Sequence, residues 1–307
     1  MKKIIFLLFI LIIIPACLYF AVDRESIHID EFRLNSGYQE VMLSDGITTY
    51  KDVGDKRNKV IVLVHGATFG SLAYEEYINV FVENEYRVIT YDQYGRGYSD
   101  RVHGDVNIEL MEKQLKELIE HCEVEDVILY GVSFGAAVVA KYAANNPENI
   151  SFIGYQVPLI NSANIPLLSI AKVPLYGDLL TRGLLVPGVL KRIEEYEDLM
   201  STKLLDHYIG QFDVKGTEKF FKKFFLGNAT GNRLEDHSTI GSKSIPSYFV
   251  YAEDDNEIDS KLVEEAIKKY QNPIVKIYSG GHFFSTGMEK EVAQEFINSI
   301  KENLKHY

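Results

Sequence analysis

Ile128-Leu129-Tyr130-Gly131-Val132-Ser133-Phe134-Gly135-Ala136-Ala137 decides the fold. An apolar run ends in Gly-x-Ser-x-Gly and passes at once into small, helix-compatible residues. That order describes a strand turning sharply into a helix with one serine at the tip. Gly131 and Gly135 remove the Cβ atoms that would collide where strand and helix meet. Ser133 is then expected in a strained backbone conformation with its Oγ presented to a reactant, which makes it a candidate nucleophile.

Outward from this stretch, short apolar runs alternate with amphipathic ones. Residues 60–64, 87–91, 127–130, 152–157, 248–252 and 274–278 read as strands. Helices are expected at 74–83, at 108–121, from 134, at 260–270 and at 290–303, and a hairpin around Ser44-Asp45-Gly46. Near-continuous apolar strands separated by helices predict an α/β architecture, a mostly parallel central sheet flanked by helices. The rhythm breaks between about 161 and 245, where helical pieces are punctuated by Pro166, Pro174 and Pro187. The expected organisation is an N-terminal segment 1–25, a core built from 26–160 and 246–307, and a helical cap over 161–245.

The chain has 307 residues, 46% hydrophobic and 25% charged, which argues against disorder and allows a sizeable core. A net charge of -12 excludes an ordinary nucleic-acid partner, whose phosphates it would repel. Cys17 and Cys122 are the only cysteines, and the eight histidines show no metal-ligand spacing. No metal and no cofactor is expected. Gly95 and Gly97 in Asp92–Asp100 lack the Gly-Lys-Ser/Thr ending of a nucleotide loop, so that segment reads as a structural turn.

At the N-terminus Lys2 and Lys3 precede 19 apolar residues, 4–22, closed by Asp23, Arg24 and Glu25. The run is long enough to cross a bilayer. It reads as an uncleaved signal anchor, as a cleaved signal peptide, or as a lipoprotein signal in which Ile14-Pro15-Ala16-Cys17 leaves a lipidated Cys17. Each places the folded part outside the cytoplasm, membrane-attached in the first and last cases.

Four further segments join the opening one: Val62-Leu63-Val64-His65-Gly66-Ala67, Asp92-Gln93-Tyr94-Gly95-Arg96-Gly97-Tyr98-Ser99, Tyr248–Asp255 and Gly280-Gly281-His282. In this order and spacing the chain resembles the α/β-hydrolase fold superfamily, of the serine esterase–lipase type with a helical cap, from about residue 40 to the C-terminus. A serine hydroxyl needs a base, and His282 follows a strand and two glycines late in the chain. An acid must orient that imidazole. Asp255 fits the position better than its neighbour Asp254, since Ala252 stands where the superfamily usually has the glycine of Gly-x-x-Asp. The resemblance implies a catalytic set of Ser133, Asp255 and His282, with oxyanion donors from the Phe134 and Ala67 backbones. His65 reads as a structural residue beside that site.

The implied activity is hydrolysis of carboxylic esters, lipid-like acyl esters included, through an acyl-enzyme. The apolar stretch 165–190 would supply the underside of a cap over a hydrophobic acyl pocket. The same set of side chains also serves amide, thioester or carbon–carbon cleavage. A hydrolase-fold protein that binds a ligand without turnover is the third reading.

Overall fold

The computed structural model describes residues 9–161, 172–226 and 231–304. The strands are β1 (Gln39–Met42), β2 (Ile47–Val53), β3 (Val60–Val64), β4 (Arg87–Tyr91), β5 (Val127–Val132), β6 (Ile150–Gln156), β7 (Ser247–Ala252) and β8 (Ile274–Tyr278). They form one sheet in the order β1-β2-β4-β3-β5-β6-β7-β8. β1 and β2 pair antiparallel, β2 meets β4 antiparallel, and every later pairing is parallel. A Leu43 N–H to Gly46 carbonyl bond of 3.1 Å closes the first hairpin.

Up to β6 the α-helices are α1 (Ile14–Ala21), α2 (Ile29–Arg33), α3 (Glu75–Glu83), α4 (Ile108–His121) and α5 (Phe134–Asn145). Between β6 and β7 come α6 (Tyr176–Leu180), α7 (Val186–Glu194), α8 (Thr202–Gly210), α9 (Thr217–Leu226) and α10 (Leu234–Ser242). α11 (Ser260–Ile267) follows β7, and α12 (Glu289–Leu304) follows β8.

β3 is buried along its whole length, and its side chains alternate between two cores. Val60, Val62 and Val64 face the core shared with α4 and α5, whereas Ile61 and Leu63 face the one shared with α3 and α12. β5 divides the same way, with Val127 and Leu129 on one side and Ile128 and Tyr130 on the other. Parallel strands need crossover connections, and the helices in those crossovers cover both faces. That is why the strands lack the polar alternation of a half-exposed sheet.

The expected insertion ends earlier than residue 245. α10 packs against α5 and α11, and Ile240 and Ile245 belong to the main core, so this helix covers the sheet. α6 to α9 form the separate cluster, centred on Val186, Ile193, Tyr208, Phe212 and Phe221. Residues 162–171 of the proline-punctuated stretch lie outside the described residues.

The described part of the N-terminal run is a short π-helical turn, Phe9–Ile13, continuing into α1. No helix among the described residues is long and apolar enough to cross a membrane. The segment after it is tied to the cap. Arg24 pairs with Asp213 (2.8 Å), Asp23 with Arg182 (3.0 Å), and Glu25 accepts the Gly216 and Glu218 N–H groups (3.0 and 2.7 Å). Asp23, Glu25 and Glu218 are the one carboxylate group among the described residues close enough to hold a metal ion. Arg182 already pairs with two of them.

His237 of α10 is enclosed by Tyr155, Phe249 and Tyr270, and one ring nitrogen lies 2.6 Å from the Tyr270 hydroxyl. Burial pushes its pKa down to about 3, so the folded protein holds it neutral. The unfolded chain protonates first as pH falls below about 6.5, so stability declines from there towards pH 3. Urea titrations are expected to show the wild type losing stability relative to a His237→Gln variant as pH falls below about 6.5, with a slope approaching about 1.4 kcal/mol per pH unit between about 5.5 and 4. Parallel pH profiles for the two proteins would contradict this account.

Candidate active site

β5 ends at Val132, and α5 begins at Phe134. Ser133 between them has φ 53° and ψ -117°, a left-handed conformation that costs a non-glycine residue energy. The strain persists because the surroundings leave no alternative. The Ser133 N–H donates to the Gln156 carbonyl (2.9 Å), and its own carbonyl accepts from Ala136 (3.0 Å) and Leu159 (3.2 Å). A Cβ on Gly131 would come within 2.7 Å of the Ala136 Cα, and one on Gly135 would collide with the Val64 and His65 carbonyls. The two glycines therefore let strand, helix and β3 converge beneath the serine.

Three side chains distant in sequence meet here. His282 Nε2 lies 3.0 Å from Ser133 Oγ, and its Nδ1 lies 2.8 Å from Asp255 Oδ2. An ionised carboxylate only accepts, so Nδ1 carries the proton and Nε2 is left to accept from the serine hydroxyl. The Asp255 side chain is fully buried, and its other oxygen accepts the Glu257 N–H at 2.8 Å.

Asp254 has a different task. Its oxygens accept the N–H groups of Gly280 (2.9 Å) and Gly281 (3.0 Å), which hold its carboxyl below the usual range. Gly280 and Gly281 have φ of 116° and 69°, so the loop that presents His282 turns through conformations that side chains disfavour. One aspartate thus faces the imidazole and its neighbour ties down the imidazole's loop.

His65 is buried and accepts the Gln93 N–H at Nε2 (2.8 Å). Its proton therefore sits on Nδ1 and is donated to the Gly66 carbonyl (2.7 Å). Burial lowers its pKa to about 4, which keeps the ring neutral. It shapes the turn as expected and does not approach Ser133 as a base. A trans peptide places N–H opposite C=O, so anchoring the Gly66 carbonyl also directs the Ala67 N–H. The Ala67 and Phe134 N–H groups find no acceptor among the described residues. Asp92 organises the neighbouring loop: its carboxylate accepts from Ser71 N (2.7 Å), Ser71 Oγ (2.7 Å) and Tyr98 N (2.8 Å), a structural turn and not a phosphate cradle.

A cavity of about 430 Å³ opens over Ser133 and His282. Its apolar cap wall comes from Leu199, Met200, Leu204 and Tyr208, and none of the described residues within 165–190 lines it. The described part of that stretch, 172–190, therefore does not make the underside as expected, and residues 165–171 lie outside the described residues. Val186 is instead buried within the cap cluster, with Val189 and Leu190 packed against it. Val157, a β-branched residue at φ 41° that also lines the cavity, is a second strained position.

Several residues here were not expected. Gln156 accepts from the Tyr77 (3.0 Å) and Tyr130 (2.6 Å) hydroxyls and donates to Ser285 Oγ (2.8 Å). It links the serine turn to the loop after His282. A lone polar residue ending an apolar strand was the available signal. Arg192 of the cap pairs with Glu257, which lies 3.8 Å from His282 Nε2, and Arg192 also lies over the Phe283 ring at 4.9 Å. Nothing in its sequence surroundings marks Arg192.

The family model described as serine aminopeptidase, S33, matches residues 55–192. A non-heme chloroperoxidase from Burkholderia pyrrocinia is 24% identical over 271 residues, covering 78% of this chain and 89% of that protein. The crystal structure of a bromoperoxidase from Bacillus anthracis superposes with a TM-score of 0.71 at 17% identity, covering 86% of this chain and all of the other. A carboxylesterase structure from the thaumarchaeon Nitrososphaera gargenis superposes with a TM-score of 0.67 at 18% identity, covering 87% and 99%. Sheet order, serine turn and relatives agree: the chain is an enzyme with the α/β-hydrolase fold.

Proposed function

We propose that the protein is a serine hydrolase that cleaves carboxylic esters through an acyl-enzyme. The observation that carries this reading is the continuous relay from Asp255 through His282 to Ser133, at 2.8 and 3.0 Å. In this mechanism Ser133 Oγ attacks the ester carbonyl while His282 Nε2 takes its proton. Negative charge develops on the carbonyl oxygen and is met by the Ala67 and Phe134 N–H groups. The tetrahedral intermediate collapses, and His282 returns the proton to the departing alkoxide. Water then repeats the sequence on the acyl-serine, releasing the acid and restoring the serine. Asp255 keeps the imidazole in the required tautomer and stabilises the imidazolium.

The apolar wall of Leu199, Met200 and Leu204 suits a hydrophobic acyl group, which favours lipid-like esters. The N-terminal run is read with it as a membrane attachment, through a signal anchor or a lipidated Cys17. Cys17 and the apolar side chains Phe9 to Ile14, Leu18 and Phe20 are exposed, Phe20 at 73%. Exposed apolar surface of this extent calls for an apolar partner. The folded part would then lie outside the cytoplasm.

A fluorophosphonate is expected to label Ser133 and to leave a Ser133→Ala protein unlabelled. A panel of ester, thioester and amide substrates should show esters turned over fastest, and preference for an amide would replace the ester reading. The two aspartates give a sharper comparison. Asp255→Asn is expected to lower kcat on the order of 10³–10⁴-fold, because the amide donates to Nδ1 and selects the wrong tautomer. Asp254→Asn should cost far less, since it only slackens a loop. Equal losses would mean the wrong carboxylate has been assigned.

The attachment reading predicts that the expressed protein stays in the membrane pellet after carbonate extraction. Mass spectrometry of the mature N-terminus should then show either intact residues 1–22 or a lipidated Cys17. A soluble protein beginning after residue 22 would refute it.

A further inference from the structure

Arg96, in the loop after β4, is 2% exposed, and no carboxylate pairs with it among the described residues. Among the described residues the charge that bears on it is that of Arg101, also positive. A buried cation without an anion is costly, so its contacts should say why it is kept. Its guanidinium donates through Nε to the Ala67 carbonyl and through an Nη to the Gly95 carbonyl at 3.2 Å. It lies over three phenylalanine rings of cap helix α9, 3.9 Å from the Phe221 centroid, 5.0 Å from Phe224 and 5.5 Å from Phe220. Burial against these rings pushes the guanidinium down to about 9.

The Ala67 carbonyl belongs to the peptide between residues 67 and 68. The preceding peptide, which carries the Ala67 N–H, is held by His65 through the Gly66 carbonyl. With both planes fixed, Ala67 has no free backbone rotation left, because φ and ψ are the only soft torsions between two planar peptides. The same cap helix reaches the other donor as well. Phe224 packs edge-to-face on Phe134, with centroids 4.7 Å apart and rings at 81°. Phe220 occupies the space a side chain on Gly95 would need.

We propose that Arg96 is a positioning residue for the oxyanion. It fixes the Ala67 peptide and transmits to it the seating of α9, which braces Phe134 at the same time through Phe224. The cap thus sets the donor geometry as well as enclosing the acyl group. This rests on the acyl-transfer reading above, and the experiment separates the two.

Arg96→Met and Arg96→Lys are compared with wild type on a short-chain chromogenic ester, with rates expressed per site titrated by fluorophosphonate. Arg96→Met removes both donated bonds and should lower kcat about 10–100-fold with KM nearly unchanged, a fraction of the loss seen when an oxyanion donor itself is removed. A boronic acid, which forms a tetrahedral adduct on the serine, should lose affinity in parallel with kcat. An uncleaved amide analogue should bind as before. Arg96→Lys keeps a cation and one donor and should recover part of the loss, although a lysine cannot reproduce the forked contact.

Wild-type kcat per titrated site in Arg96→Met overturns the inference. So does a loss confined to KM, or equal weakening of the boronate and the amide. If Arg96→Met does not fold, Arg96→Lys and Phe224→Leu carry the test, each expected to lower kcat without raising KM. Absence of Ser133 labelling in the wild type removes the acyl-transfer reading itself, and this inference falls with it.

Discussion

No side chain fits at residue 135. A Cβ there would run into the carbonyls of Val64 and His65, and one at residue 131 would press on the Ala136 backbone. This close packing of β3, β5 and α5 fixes the place of Ser133, and much else follows from it. The helix must start at Phe134, so the Phe134 N–H is free of an intrahelical partner. β3 must end beside the turn, which brings Gly66 and Ala67 against the serine. Ser133 accepts its left-handed backbone because the Gln156 carbonyl and the neighbouring N–H groups hold it there from three sides.

The two adjacent aspartates show how a short loop divides its work. They follow the end of β7 in consecutive positions, so their side chains leave in different directions. Asp255 turns inward to a fully buried place beside the imidazole, and Asp254 stays in solvent and accepts the backbone of Gly280 and Gly281. A buried carboxylate is tolerable only when donors surround it, and the His282 ring and the Glu257 N–H meet that need. The exposed one has no such requirement and can serve as a tether. His282 is therefore located twice, by its ring and by its loop.

The parallel core was legible because its strands are buried on both faces and carry runs such as Val60–Val64, which no helix or half-exposed strand explains better. Ser133 and His282 were legible from the glycines around them, since glycine at those places answers a local backbone demand. The choice between Asp254 and Asp255 rested on a spacing and not on a local demand. The cap was harder to read. Its helices are short, and whether Leu199 or Val186 faces the cavity depends on how the cap sits on the sheet, a tertiary fact that periodicity does not encode. α10 was assigned to the insertion because its sequence looks helical and its packing against α5 is invisible from the chain alone. Arg96 and Arg192 left no mark for the same reason: the Phe221 ring under Arg96 and the Glu257 carboxylate beside Arg192 each lie more than sixty residues away in the chain.

The contacts between cap and core combine hydrogen bonds, such as Gln211 Nε2 to the Thr68 carbonyl at 3.1 Å and Arg101 Nε to Thr217 Oγ1 at 2.9 Å, with aromatic packing. Around Arg96 and Phe134 the cap offers aromatic faces, and near His282 it offers Arg192 and Tyr196 against Phe283. Aromatic packing has no fixed donor–acceptor register, so it tolerates small sliding that a hydrogen-bonded ladder would not. The hydrogen bonds that locate Ser133, Asp255 and His282 stay within the sheet and its loops. Arg96 sits at the boundary between these regimes, with carbonyls on one side and phenyl rings on the other. A guanidinium suits that position because its edge donates in plane while its faces lie against π-systems. A lysine offers only a point charge, and an apolar residue would leave the Ala67 and Gly95 carbonyls without these donors.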